Sequence, residues 1–159
     1  MYKNNGIIMP ESEETDSRKE ISRKMIESKK VWKATIKSLT EKLKGDVRFA
    51  TDIQAEAISQ RQNIIDEVNT YAVKILKLVQ KMKVLTKQKF EFYATSYQVK
   101  TSGTEKLRLI EADLSEYQLF IDELDEYVNF LRDTSKNLEA INYSVKGKIE
   151  LANILGGYK

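Results

Sequence analysis

The sequence has no cysteine and no histidine, and a single proline, Pro10. Without cysteine there is no disulfide and no thiolate zinc site, and the redox compartment goes unread. Without histidine the commonest general base and the commonest metal ligand are both missing. No apolar run approaches the roughly 20 residues that span a bilayer. The first twelve residues lack a basic stretch leading into an apolar one, so no secretion signal is expected. Glycine is also scarce, at six residues. What remains is 41% hydrophobic and 32% charged over 159 residues, the composition of a soluble, helix-rich chain of one domain or one domain plus an extension.

Catalytic patterns are missing as well. There is no glycine-rich phosphate loop, no nucleophile elbow and no metal-spaced cluster. Asp122 with Glu126, and Glu123 with Tyr127, lie one helical turn apart, but such pairs are expected by chance on a helix dense with acids. Acid–base chemistry needs a shaped cleft that nothing in the pattern announces. The expectation is therefore a binding protein rather than an enzyme, with no metal and no cofactor.

The net charge of +3 hides a segregation. Arg18–Lys44 holds ten basic and three acidic residues, Lys74–Arg108 nine and two, while Glu111–Glu139 holds nine acidic and two basic. One part of the surface is thus suited to a polyanion and another is kept off it. The competing reading is that the acidic helix packs on the basic ones and neutralises them.

Periodicity predicts an all-α fold of long amphipathic, coiled-coil-like helices. Residues 1–17 are polar and acidic and read as a flexible tail. Residues 18–44 form a basic helix whose apolar line is Ile21, Met25, Trp32, Ile36, Leu39 and Leu43, ended by Gly45-Asp46. Trp32 reads as a packing anchor. Residues 46–104 form a second half, with Thr51 as the expected N-cap of a helix to Tyr93. Its heptad seam is Ile64, Val68, Tyr71, Ile75, Leu78, Met82 and Leu85. Continuing that rhythm puts Lys89 on the seam line, either snorkelling along it or marking a charged opening. The connection 94–104 breaks at Ser102-Gly103, and its Tyr97 and Lys100 could extend the basic site.

Residues 105–157 carry the third helix, along Leu107, Ile110, Leu114, Tyr117, Ile121, Leu124, Val128 and Leu131, then Leu138, Ile141, Val145 and Ile149, with Gly156-Gly157 as the stop. At about 1.5 Å per residue a helix over all of it is roughly 75 Å long, too long for one small chain to cover. That length predicts a homo-oligomer, with Leu138, Ile141, Val145, Ile149 and Leu155 as the interface.

The stretch with the most chemical character is Lys81–Tyr93. Lys81, Lys83, Lys87 and Lys89 run into Phe90, Phe92 and Tyr93, offset only by Glu91. Lysines bind phosphates and flat rings stack on bases, so Lys81, Lys83, Lys87, Lys89, Phe92 and Tyr93 are the candidate contacts to single-stranded nucleic acid. A solvated helix face whose rings fill a core is the plainer alternative.

Four stretches in order give the chain a family likeness. They are Leu39-Thr40-Glu41-Lys42-Leu43-Lys44-Gly45-Asp46 with Asp52, then Lys87-Gln88-Lys89-Phe90-Glu91-Phe92-Tyr93, Ile110-Glu111-Ala112-Asp113-Leu114, and Asn142–Gly157. Over about residues 36–157 the chain resembles the UvsY-type recombination mediators of T4-like bacteriophages. It departs from them in having Lys89 for an arginine, Phe90 and Phe92 for an aliphatic residue and a tyrosine, no Ser-Gly directly after the rings, and no counterpart for residues 1–35. The resemblance implies a ring-like homo-oligomer that binds single-stranded DNA in the cytoplasm of an infected bacterium. It also implies that the protein helps a RecA-like recombinase load onto DNA covered by single-strand-binding protein, with Lys87 and Lys89 at the DNA-contacting positions. The rival expectations are a coiled-coil scaffold that meets only protein, and a basic amphipathic helix, Arg18–Lys44, lying on anionic membranes.

Overall fold

The computed structural model describes residues 11–156, with side chains from Thr15 onward. The chain is all-α: α1 (Glu11–Leu43), a single 3-10 turn (Val47–Phe49), α2 (Ala50–Thr95) and α3 (Gly103–Gly156). The first helix begins at Glu11, directly after Pro10 in sequence and earlier than the expected Arg18. Only residues 1–10 of the expected tail, and Gly157 of the expected stop, lie outside the described residues.

Local chemistry explains the two breaks. Between α1 and α2, Asp46 holds an extended backbone and its carboxylate accepts from the Arg48 amide at 2.9 Å, while the Arg48 guanidinium reaches it at 2.7 Å. The cap therefore works one turn before Thr51, and α2 starts at Ala50 with no side-chain cap of its own. Between α2 and α3, the Ser102 amide donates to Glu105 Oε2 at 2.7 Å and the Glu105 amide donates to Ser102 Oγ at 3.3 Å. This reciprocal pair satisfies two donors that a helix start otherwise leaves open.

The helices run up, down and up. α2 lies antiparallel on α3, as Gln54–Asn142, Arg61–Glu139 and Tyr93–Asp113 show. α1 lies across both, with Ser22 near Glu123, Trp32 near Glu67 and Lys42 near Glu56. Two apolar clusters follow. The larger unites all three helices around Trp32, Leu39, Ile64, Leu124, Tyr127, Leu131 and Val145. The smaller, Tyr93, Ile110 and Leu114 with Met82, Leu85 and Tyr117 packed on it, belongs to α2 and α3 alone. So the hairpin of α2 and α3 continues past the three-helix bundle as a two-helix arm. Trp32 is buried, as the sequence implied. Leu107, placed on the seam by spacing, is exposed because the arm has no third helix to cover it.

Polar side chains pin the bundle. Glu67 of α2 accepts from Ser28 Oγ at 3.2 Å, from Trp32 Nε1 at 3.0 Å and from the Tyr127 hydroxyl. Lys148 donates to the Leu43 carbonyl at the end of α1, where a cation is favoured by the helix dipole.

The structure corrects the expected interface. Leu138 (1% exposed), Ile141 and Val145 (0%) are inside the chain's own three-helix core, and Ile149 packs against it. The sequence left open where α1 lies, and α1 supplies the cover that length alone attributed to a second copy. Of the five residues only Leu155 is free, at 65% exposure, beside exposed Leu151 and Ile154. No helix among the described residues is long and apolar enough to cross a membrane.

Candidate nucleic-acid interface

The arm carries the basic and aromatic stretch, and its own packing decides which side chains remain available. Tyr93 turns inward onto Ile110 and Leu114 and its hydroxyl donates to Asp113 Oδ2 at 2.9 Å. Lys89 reaches the same carboxylate oxygen at 2.8 Å. The Lys89 ammonium, helped by a weaker contribution from the Tyr93 hydroxyl, holds the Asp113 carboxyl below its ordinary value and outweighs desolvation, the second-largest influence. In return the bond to Asp113, with burial, raises the Tyr93 phenol. Lys89 and Tyr93 are therefore a clasp between α2 and α3. Lys89 lies on the seam line because it reaches across to the facing helix.

The six expected contacts do not form one patch. A helix turns about 100° per residue. Lys83 and Lys87 therefore share one flank of α2 with Phe90, whereas Lys81 and Phe92 lie on the opposite flank, with α3 between. Lys83, Lys87, Phe90 and Phe92 are exposed, and neither Lys83 nor Lys87 has an ionic partner among the described residues. Phe92 stands edge-on to Tyr93 at 5.2 Å, and Tyr97 joins them at 5.0 Å from Tyr93, so the tip presents a ring cluster that is part buried and part open. Lys81 lies 5.4 Å from the centroid of Tyr117.

That contact leads to residues the sequence reading passed over. Arg18 of α1 covers the same Tyr117 ring at 3.8 Å. Lys77 and Lys74 lie one and two turns back from Lys81 on the same flank. Their spacing of three and four was visible in the sequence, since it matches one helix face. Arg18 could not have been found that way, because only the tertiary fold brings it to this flank.

The segregated charges are partly neutralised within the chain. Lys29 meets Glu126 at 3.8 Å and Arg61 meets Glu139 at 3.7 Å. Lys30, Lys33 and Lys37 on the outer side of α1 are exposed and have no ionic partner among the described residues. Among those residues no group of three acids is placed to hold a metal ion.

No family model matches the chain, and neither the curated proteins nor the solved structures searched contain a match.

Proposed function

We propose that this protein binds single-stranded DNA as a homo-oligomer and acts as a recombination mediator, helping a RecA-like recombinase onto DNA covered by single-strand-binding protein. The observation that carries the DNA-binding part is the arm: unpaired, exposed Lys83 and Lys87 on one flank with half-open Phe90. Lysines there hold phosphates and rings stack bases without reading sequence. The mediator role rests on the resemblance of residues 36–157, in which Lys87 keeps its matching position. Several copies of a modest site along one strand would hold it by avidity. The exposed Leu151, Ile154 and Leu155 are the contact between copies in this reading.

The test is binding of a labelled single-stranded oligonucleotide across a salt series, comparing wild type with Lys83→Ala/Lys87→Ala. Loss of two phosphate contacts lowers the log–log salt slope by about 1.4, at roughly 0.7 per contact on a single strand. An unchanged slope removes these lysines from the interface. The clasp of Lys89 with Asp113 favours a second reading, a helical scaffold that meets only protein, because it shows one of the arm's cations serving the fold. The scaffold reading requires that wild type ignore the oligonucleotide even in dilute buffer.

A further inference from the structure

Where the arm leaves the bundle, all three helices border an open-sided cavity of about 250 Å³. Ile21 of α1, Leu78 of α2 and Phe120 of α3 make its apolar floor, and Arg18, Lys74 and Lys77 stand on its rim, with no carboxylate in the lining. Lys74 rests over the face of Tyr71, 4.4 Å from the centroid. A lysine held by a ring instead of an acid keeps its charge for an incoming anion. Lys77 has no ionic partner among the described residues. The volume is below the roughly 300 Å³ at which pockets for whole drug-sized ligands begin, so it accommodates one flat ring system and little more.

We propose that this cavity receives one unstacked base of a bound single strand, with Arg18, Lys74 and Lys77 on the flanking phosphates. An apolar slot under a cationic rim matches a nucleotide's division into a flat ring and a charged backbone. The slot lies on the flank of α2 that carries Lys81 and Phe92, opposite Lys83 and Lys87, and it adds α1 to the surface that meets the strand. The inference rests on the reading of the protein as a single-strand binder, and the experiment separates the two.

Binding is measured for an oligothymidylate and for an abasic strand of equal length, with wild type, Ile21→Trp and Lys74→Gln/Lys77→Gln. Wild type is expected to prefer the base-bearing strand by about tenfold, the scale of one stacked base. Ile21→Trp fills the slot, so it lowers affinity for the base-bearing strand by about tenfold, narrows its preference over the abasic one, and leaves abasic binding unchanged. The lysine pair weakens both strands and flattens the salt slope by about 1.4. Equal wild-type affinity for the two strands overturns the slot, as does a preference undiminished in folded Ile21→Trp. The lysine variant leaves the core untouched and decides the placement if Ile21→Trp fails to fold: an unchanged slope overturns it. If wild type binds neither strand in dilute buffer, the single-strand reading itself falls, and the slot with it.

Discussion

Glu67 is where the three helices meet through polar atoms. A carboxylate between helices is costly unless its oxygens are satisfied, and here Ser28, Trp32 and Tyr127 all donate to it. Burial first, and the hydrogen bond to Glu67 second, push the Tyr127 phenol far above its ordinary value. Tyr127→Phe keeps the ring and removes one donor, so it should lower stability by about 2 kcal/mol in urea unfolding. A loss near zero would mean that Glu67 does not depend on that donor. Asp113 makes a pH prediction. Its carboxyl is depressed in the folded chain, so its contribution is present above the ordinary carboxylate range and is lost as pH falls through the lower folded value. An NMR titration of Asp113 should therefore show a midpoint that moves up in Lys89→Ala; a midpoint that stays put would reject Lys89 as the cause. Trp32 and the oddly placed Lys89 could be picked out from spacing. Glu67 and Asp113 could not, since nothing in the local pattern says which distant donors a carboxylate will meet.

For the elements, hydrophobic spacing located all three helices and both breaks, because burial repeats with the helical period and that period is local. The boundaries were less legible. Thr51 looked like a cap, yet Asp46 takes that role one turn earlier through Arg48. The start of α3 was fully written in the sequence as Ser102 followed three residues later by Glu105, a signature more informative than the neighbouring Gly103. Ser102→Ala should cost about 1 kcal/mol. The loss should show as faster amide exchange confined to the first turn of α3, because the arm's core begins only at Leu109 and Ile110. Exchange that is unchanged there would show that the cap does not hold the turn.

The whole molecule was the hardest scale to read. A seam says that a helix has a partner, but not whether the partner is the same chain. Leu138, Ile141 and Val145 were assigned to a second copy and belong instead to the core that α1 closes. Among the apolar residues that the fold leaves exposed are Leu151, Ile154 and Leu155 at the end of α3. If the chain assembles as proposed, Ile154→Asp/Leu155→Asp should reduce its mass in light scattering while shifting unfolding by no more than about 0.5 kcal/mol, as for other surface changes. An assembly of unaltered mass places the contact elsewhere. Leu138→Asp, by contrast, should unfold the chain itself, because it buries an unpaired charge.

α2 and α3 pass from the large cluster into the small one without a break, while α1 reaches the edge of the small one at Tyr117, through Arg18. A swivel at that level has no loop to absorb it and would have to tear two backbone ladders at once. The arm and the bundle are thus joined as a single lever, and under the proposed function a strand held at the ring cluster would pass its torque straight to the seat of Trp32.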